Sequence, residues 1–396
     1  MLTATEAFFL DSVKSFLHPE YECRIPLDIN WIELKAISIR HCMSEIVYTG
    51  SKITKENCSE YAYFYQTYYN AAYRYANLKR EYRTLAASLT EKGIKFLPFK
   101  GIVLAEYYTK PICRTMGDID ILVHTEDKAQ VHELLINAGF TNDVHADHEW
   151  GYYKNNVYFE VHDHLLHNET VNPKAYQEYC DGCWQYAKEG EGTCLTLDDN
   201  FHFVFLLLHL RKHFMNEGVG FRQFLDLCVM VERGLNWKWI SSQLELLNLT
   251  AFAEIVMSLC KTWFGTMSPL VKELDPTFYE NATKKILADG VFGFSNPAND
   301  RLEIVNEFRE SNAPHWMKYY AYVLKKSFQP YRILKNQQNY KYLQNMPWLL
   351  PFAWIHRGAH VLHDRRHLLL STLKQARSIN QAEVDAAHAL YKEWGL

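Results

Sequence analysis

The sequence predicts an α+β protein in which one strand-rich segment is flanked by helical regions. Short apolar runs typical of strands alternate with helix-like stretches through residues 93–165. Residues 1–92 and most of the chain after residue 198 instead have the apolar spacing of helices. The sequence contains no internal repeat and no low-complexity linker. Because 396 residues exceed what one hydrophobic core usually serves, we expect more than one domain.

The composition is that of a globular protein and argues against two classes of partner. The net charge of −4 gives no reason to expect general nucleic-acid binding, which needs a basic surface. The longest apolar stretch near the C-terminus, residues 346–355, is about half the roughly 20 residues of a membrane span. We therefore expect no membrane partner, although contact with a membrane surface stays open. Nine scattered cysteines and the lack of a signal-peptide pattern predict reduced thiols and a cytoplasmic location.

The N-terminal region is predicted to end in a long helix, since residues 57–89 carry bulky apolar side chains without a proline or glycine. We interpret its tyrosines as packing between helices, with an aromatic binding surface as the alternative. Gly93 is expected to end this helix, and Asn155-Asn156 to form a tight turn between two later strands. The segment after Gly93 is predicted to form strands at residues 94–99, 118–123, 151–154 and 157–162, and helices at residues 102–109 and 127–138.

The second predicted strand contains the only Asp-x-Asp pair of the sequence, Asp118 and Asp120. Both side chains point to one face, because side chains alternate along a strand. Acids in an otherwise apolar strand need a partner, and hard divalent cations bind carboxylates together with substrate phosphates. The pair therefore predicts a Mg²⁺ or Mn²⁺ site and metal-assisted phosphoryl or nucleotidyl transfer. If the acids face water, Asp120→Asn should abolish transfer and leave the metal-free protein equally or slightly more stable, because it relieves repulsion. The alternative is a structural role in which Asp120 pairs with Arg114 or Lys100, and the same substitution would then clearly destabilise the protein.

A third acid, Glu160, lies in a later strand, where it shares a face with Tyr158 and His162. If that strand lies beside the strand of Asp118 and Asp120, three carboxylates converge. The alternative is an ordinary solvated strand face.

Lys100-Gly101 forms the predicted turn between the first strand and the next helix. A glycine lets the backbone approach a phosphate closely, a helix start offers free N–H groups, and the lysine adds positive charge. A plain strand-to-helix turn is the alternative. Arg114, four residues before Asp118, either binds a phosphate or pairs with the acidic cluster.

The helical part carries basic residues at helical spacing. His209 and His213 are four residues apart, as are Arg222 and Asp226, so each pair shares one helix face. With Lys212 they are interpreted as a basic wall that closes over a triphosphate or an acceptor, and an ordinary ion-paired surface is the alternative.

Two other groups of residues offer metal ligands apart from the acidic cluster. Cys180 and Cys183 form a lone Cys-x-x-Cys, which is half of a zinc site. The second possibility is a histidine cluster that matches no established ligand spacing, consisting of His145, His148, His162, His164 and His167.

The combined motifs resemble the polymerase β-like nucleotidyltransferase superfamily and, more closely, the family of uncharacterised nucleotidyltransferases. The resemblance covers about residues 70–310. Its motifs are FLPFKG (96–101), Arg114, DIDILV (118–123), Glu160-Val161-His162, HLRKHF (209–214) and GFRQFLDL (220–227). Two departures stand out: Ile102 replaces a small hydroxyl residue or glycine, and Glu160 replaces the more usual Asp. The first places more of the phosphate binding on Lys100, and the second shifts the carboxylate by one methylene.

The resemblance implies a mixed sheet with the acids at one end and a defined reaction. An acceptor hydroxyl or phosphate attacks the α-phosphorus of a nucleoside triphosphate and releases pyrophosphate. Asp118 and Asp120 would hold the metals, and Glu160 would complete the second metal site or act as general base. The expected nucleotide-binding residues are Lys100, Gly101, Arg114, Lys212 and Arg222, with His162 and Asp226 supporting the site.

Four regions follow from this reading: an N-terminal helical region 1–92, a nucleotidyltransferase-like domain 93–197, a helical domain 198–310 that closes the site, and a C-terminal helical extension 311–396. The acceptor stays open between a small molecule, a peptide, a protein and an RNA end. The alternatives are transfer of the γ-phosphate, as in kinases, and a non-catalytic antitoxin-type or regulatory module.

Overall fold

The computed structural model describes residues 2–144, 149–166, 174–291, 301–309, 314–335, 338–364, 374 and 376–396. It confirms the α+β class, with a mixed five-stranded sheet flanked by helices. The strands are β1 (Phe96–Phe99), β2 (Ile119–Val123), β3 (Thr141–Val144), β4 (Glu149–Lys154), β5 (Val157–His162), β6 (Ala187–Glu189) and β7 (Leu195–Leu197).

Helices occupy most of the chain on both sides of the sheet. They are α1 (Ala4–Leu17), α2 (Trp31–Arg40), α3 (Ser44–Gly50), α4 (Tyr61–Glu91), α5 (Gly101–Leu104), α6 (Lys128–Asn137), α7 (Lys174–Asp181), α8 (Asp199–Asn216), α9 (Phe221–Val231), α10 (Trp237–Leu246), α11 (Thr250–Phe264), α12 (Pro276–Asp289), α13 (Leu302–Arg309), α14 (His315–Ser327), α15 (Tyr331–Leu334), α16 (Leu350–Asp364) and α17 (Gln381–Glu393). Among the described residues, no helix is long and apolar enough to cross a membrane.

The sheet has the strand order β1-β2-β5-β4-β3. β2 and β5 are parallel neighbours, whereas the other pairs are antiparallel. Asn155 and Asn156 form the predicted turn between β4 and β5, with the positive φ angles of 48° and 65° that two-residue hairpins require. Because β2 and β5 are adjacent, the third acid is brought to the Asp-x-Asp strand, as the sequence analysis required.

The two faces of the sheet belong to different hydrophobic clusters. Ile119, Ile121 and Val123 pack with Phe159 in a core beneath α4 and α6. On the opposite face, Leu97, Phe99 and Leu122 join a larger core made with α8, α9 and the N-terminal helices. Asp120 alternates with Ile119 and Ile121, so it faces the side of α8 and α9. The alternation of side chains along β2 thus places its Ile and Val residues in one core and Asp120 on the opposite face of the sheet.

Several element boundaries differ from the prediction. The first strand begins at Phe96 instead of 94, because the Ile94 N–H still closes α4 by bonding the Leu89 carbonyl. The second strand begins at Ile119 instead of 118, β4 at Glu149 instead of 151, and α6 spans Lys128–Asn137 instead of 127–138. Gly93 ends α4 as predicted, with a φ of 70°. The helix after Lys100 was predicted at 102–109 but is a single turn, α5, followed by a 3₁₀ turn to Tyr107. The helical segment ends because the backbone becomes extended at Tyr108, with φ −76° and ψ 143°.

The tyrosines of α4 divide between two environments. Tyr61 and Tyr68 pack against the larger core, as predicted. Tyr65, Tyr69 and Tyr73 are exposed, so the packing interpretation is wrong for these three. The larger core also joins α1 and α3 to α8–α12, and the division of the chain into four regions stays a prediction.

Candidate active site

The acids of β2 and β5 meet at adjacent positions of the sheet. Asp120 lies opposite Glu160 in the parallel register, and His162 follows one residue pair further along the same face. Oxygen and nitrogen atoms of Asp120, Glu160 and His162 lie within 4.8 Å of one another. Two carboxylates and an imidazole are therefore positioned as a set that suits a divalent cation.

Asp120 is the most buried member of this set and is fully paired. The Lys100 Nζ donates to Asp120 Oδ1 over 2.7 Å, and His162 Nε2 lies 3.1 Å from the same oxygen. Burial alone would raise the pKa of Asp120, but Lys100 and His162 outweigh it and lower this pKa to about 2. The assumption that this acid faces water is therefore wrong, because Asp120 is only 1% exposed.

The same contacts act on His162. Burial opposes the charged imidazole, but hydrogen bonds to Asp120 and Glu160 raise the pKa of His162 above its ordinary value. The Nε2 of His162 lies 3.5 Å from Glu160 Oε2. His162 thus bridges the two carboxylates and fixes their orientation.

Asp118 occupies a different position from Asp120. It directly precedes β2 and lines the same cavity as Glu160, so both acids lie on one side of the sheet. Burial and the neighbouring charge of Asp120 raise the pKa of the Asp118 carboxyl. Asp118 is not part of the tight set of Asp120, Glu160 and His162, so the two aspartates differ in their surroundings.

Lys100 has a backbone conformation that is normally reserved for glycine, with φ 53° and ψ −129°. Its side chain crosses the Phe99 ring at 5.1 Å and reaches the acids. Burial disfavours the ammonium, yet the carboxylates of Asp120, Glu160 and Asp118 raise the pKa of Lys100. Lys100 is therefore a cation held against the acidic cluster.

Gly101 serves close packing instead of an unusual turn. A Cβ atom at Gly101 would lie 3.1 Å from the Cβ of Met116 and 3.7 Å from the guanidinium of Arg114. The glycine thus lets the start of α5 approach the segment that precedes β2.

Arg114 is anchored by Asp226, not by the acidic cluster. Its guanidinium donates to both carboxylate oxygens of Asp226 over 2.7 and 2.8 Å, and the Tyr108 hydroxyl donates to the same carboxylate over 2.8 Å. Burial opposes the charge of Arg114, but Asp226 outweighs it and raises the pKa of Arg114. This buried, bidentate pair ties the segment before β2 to α9.

Arg222 lies beside that pair without a carboxylate of its own. Its guanidinium donates to the Thr115 carbonyl over 3.1 Å, and its buried Nε has no hydrogen-bond partner. Burial and the charge of Arg114 lower the pKa of Arg222. Arg222 therefore acts electrostatically on Asp226, Asp118 and Glu45 but, among the described residues, forms an ion pair with none of these carboxylates.

The third part of the wall is a histidine pair on α8. His209 Nε2 lies 3.2 Å from His213 Nε2, and His213 Nδ1 lies 2.9 Å from Glu217. Lys212 lines the cavity on the same helix. The sequence analysis missed Glu217, although its spacing of four residues from His213 is the signal for such a helix pair.

All of these groups open into one cavity of about 390 Å³. The cavity is lined by Lys100, Gly101, Leu104, Arg114, Met116, Gly117, Asp118, Asp120, Glu160, Leu206, His209, Leu210, Lys212, His213, Glu217, Arg222, Gln223 and Asp226. Except for His162, which contacts Asp120 from behind, every residue expected at the site lines it. Tyr108 was missed and reaches the site only through Asp226.

The two other metal interpretations gain no support. His145, His148 and His167 lie outside the described residues, and His164 contacts Asp181 at 2.8 Å. Within the described part of the chain, Cys180 and Cys183 are buried free thiols that belong to no group spaced for a metal ion.

Comparison with known proteins places this site in a family. No curated protein and no solved structure matches the chain. Residues 28–265, more than half of the chain, match the family model described as uncharacterised nucleotidyltransferase. This match includes both acidic strands, the Lys100 turn and the basic helices α8 and α9. The chain therefore belongs to the family of uncharacterised nucleotidyltransferases, as the motif resemblance indicated.

Proposed function

We propose that this protein transfers a nucleoside monophosphate from a nucleoside triphosphate to an acceptor in a reaction that depends on Mg²⁺ or Mn²⁺. The observation that carries the proposal is the pairing of Asp120 with Glu160 on adjacent parallel strands, inside a cavity that Arg222 and Lys212 also line. An acidic cluster suits a metal and a basic wall suits a polyphosphate. Family membership supports nucleotidyl transfer in general.

The donor set fits a hard divalent cation. Asp120 and Glu160 offer carboxylate oxygens within 4.8 Å of each other, and Asp118 lines the cavity next to them. Asp120 already accepts a cation, the ammonium of Lys100, at the position that a metal would take. His162 fits the role of an outer partner that orients both carboxylates. A bound cation would neutralise phosphate oxygens and activate the attacking oxygen.

The remaining chemistry falls to side chains of the cavity wall. Arg222 and Lys212 face the space where a triphosphate fits, and the Arg114–Asp226 pair holds the wall in place. Lys100, once displaced from Asp120, reaches the phosphates, and the Gly101 amide adds a donor. Glu160 is only partly buried and accepts the proton of an attacking hydroxyl when it is not a metal ligand.

The cavity size agrees with a nucleotide as the first substrate. About 390 Å³ lies within the range of roughly 300–1,000 Å³ that small-molecule sites span. Helices α8 and α9 of the region 198–310 supply the wall opposite the sheet, so this region is proposed to close the site. The acceptor is a small molecule, a peptide, a protein or an RNA end.

The test determines which labelled phosphate of the nucleotide is transferred to an acceptor. Purified protein with Mg²⁺ or Mn²⁺ is incubated with each α-labelled and γ-labelled triphosphate and cell extract. Asp120→Asn serves as the inactive control. Transfer of the α-label with pyrophosphate release supports the proposal, whereas transfer of the γ-label indicates kinase-like chemistry. If no label moves and none of ATP, GTP, CTP and UTP raises the melting temperature of the folded protein, the chain is a non-catalytic member of its family.

A further inference from the structure

We propose that the C-terminal region carries a second functional surface, which binds the face of an anionic lipid bilayer. The surface consists of exposed apolar side chains on and next to α14 and α16, and we refer to it as the aromatic surface: Trp316, Leu324, Phe328, Trp348, Phe352 and Ile355. It lies outside the part of the chain that matches the family, and the proposal does not rest on the proposed nucleotidyl transfer.

The exposure of these side chains is high for their size. Each member of the aromatic surface is 51% to 71% exposed. Large apolar side chains that are exposed together, instead of singly, mark sites that contact a partner or a membrane. The exposure does not reflect a segment without packing, because Leu334, Tyr340, Leu343 and Ala353 form a small buried core in the same region.

The spacing places the exposed side chains in two stripes. On α14, Trp316 and Leu324 are eight residues apart, and Phe328 directly follows the helix. Trp348, Phe352 and Ile355 are four and three residues apart, which places them on one face of α16 and the turn before it. Trp316 and Leu324 lie about 80° apart around α14, and the exposed Tyr320 lies between them.

Two contacts fix the end of α14 against α16. The rings of Phe328 and Trp354 meet edge to face with centroids 5.2 Å apart. The indole N–H of Trp354 donates to the Gln329 carbonyl over 2.8 Å. The C-terminal end of α14 is thereby fixed against α16, and both apolar faces belong to one body.

The charge of this region indicates which kind of partner the aromatic surface binds. The chain as a whole has a net charge of −4, but residues 311–363 contain no Asp or Glu. The basic residues of the same stretch are Lys318, Lys325, Lys326, Arg332, Lys335, Lys341 and Arg357. Helices with Trp, Phe and Leu on one face and Lys or Arg elsewhere lie in the interface of a bilayer, and basic residues favour anionic lipids.

Further features favour a lipid surface over a protein partner. Each stripe starts with a tryptophan, a side chain that is enriched at the water–lipid boundary. No acid in the stretch repels an anionic surface or supplies a counter-charge for a specific ion pair. Because no described helix can cross a bilayer, the aromatic surface is expected to lie on the membrane.

The test is vesicle binding by the full chain. The protein is sedimented with vesicles of phosphatidylcholine alone and with vesicles in which about one third of the lipid is phosphatidylglycerol, at low and high salt. We expect binding to the anionic vesicles, weak binding to the neutral ones, and a loss of binding at high salt. Lack of binding to anionic vesicles by folded protein, or equal binding to both kinds, would overturn the proposal.

Variants locate the binding surface. Trp348→Ser with Phe352→Ser should reduce binding at least about tenfold, because both side chains lose their insertion into the interface. Ile32→Ser with Leu246→Ser is the matched control, since these residues are 71% and 73% exposed but lie elsewhere. Circular dichroism verifies that each variant is folded. If the control loses as much binding as the test variant, or if Trp348→Ser instead abolishes a dimer seen by sedimentation, the occupant is not a lipid surface.

Discussion

Replacing Lys100 with methionine is expected to weaken the metal-free fold and at the same time to strengthen the binding of Mn²⁺. The reason is that Lys100 Nζ lies 2.7 Å from Asp120 Oδ1, inside the set of Asp120, Glu160 and His162. Our hypothesis is that a divalent cation takes this oxygen and displaces the ammonium when it binds. Methionine keeps the apolar stem of the side chain over Phe99 and removes only the competing charge.

The magnitude follows from the burial of the pair. Removing one partner of a buried ion pair costs about 3–5 kcal/mol, because the other charge is left uncompensated. Lys100 is 20% exposed and His162 still contacts Asp120, so the lower end, about 3 kcal/mol of unfolding free energy, applies. A metal that fills the empty position recovers this free energy, which corresponds to an affinity gain of up to about 100-fold.

Two assays measure the Mn²⁺ affinity and the unfolding free energy separately. Mn²⁺ is titrated into nucleotide-free protein by calorimetry, and the free energy of unfolding is measured by urea denaturation. Lys79→Met is the matched control, because Lys79 is 22% exposed and pairs with Glu106 at 2.6 Å away from the cavity. An unchanged or weaker Mn²⁺ affinity in Lys100→Met would refute the competition. If neither protein binds Mn²⁺, the metal site itself is refuted.

Three further predictions follow from the same contacts. Asp120→Asn should abolish transfer and lower the unfolding free energy of the metal-free protein by about 3 kcal/mol in urea, contrary to the expectation for a water-exposed acid, because Lys100 loses its buried partner. Folding lowers the pKa of Asp120 from 3.8 to about 2. The ionised carboxylate therefore stabilises the fold above about pH 4, and this stabilisation is lost as the pH falls from about 4 to 2. In acid denaturation, the wild-type protein should lose about 2 kcal/mol more unfolding free energy across this window than Asp120→Asn. Arg222→Gln should weaken triphosphate binding, measured by calorimetry, at least about tenfold without loss of stability, because it removes a buried cation that forms no ion pair with a described carboxylate. A clear loss of unfolding free energy would show that Arg222 is structural.

The acidic half of the site was predictable from local sequence. The alternation of side chains in a strand places Asp118 and Asp120 on one face, and the same rule places Glu160 beside His162. What local sequence could not supply is the register that sets Asp120 opposite Glu160, because these residues are separated by a helix and two strands. That step depended on the family resemblance.

The basic half was predictable in kind but not in its pairing. The spacing of Arg222 and Asp226 suggests a helix pair, yet Asp226 binds Arg114 from another segment of the chain. A bidentate pair between residues 112 positions apart depends on how α9 packs against the segment before β2, which no local pattern encodes. The helix after Gly101 was also predicted too long, because no local pattern marks the extended backbone at Tyr108, whose hydroxyl donates to Asp226 of α9.

The positive φ of Lys100 was not predictable from local sequence, because contacts with distant residues impose it. The sequence analysis assigned to Gly101 a close approach of the backbone to a phosphate; the structure gives a positive φ to Lys100 and places Gly101 in close packing against Met116. A strained backbone of this kind persists only where surrounding contacts impose it. Here the ion pair with Asp120 is such a contact, so the strain and the charge of Lys100 belong to the same feature.

The charges of the cavity suggest an order for its ligands. Without a metal, Lys100 balances one of the three neighbouring carboxylates and the Arg114–Asp226 pair is neutral, so the acidic cluster keeps an excess of negative charge. Arg222 acts on the nearby Asp118 but forms no ion pair with a carboxylate of the described residues. A divalent cation at Asp120 and Glu160 would supply more charge than the ammonium that it displaces. The released Lys100 would then add its charge to that of Arg222, where a triphosphate requires it. Metal and nucleotide therefore do not compete for Lys100: binding of the first makes the lysine available for the second, and the two affinities are coupled through one side chain.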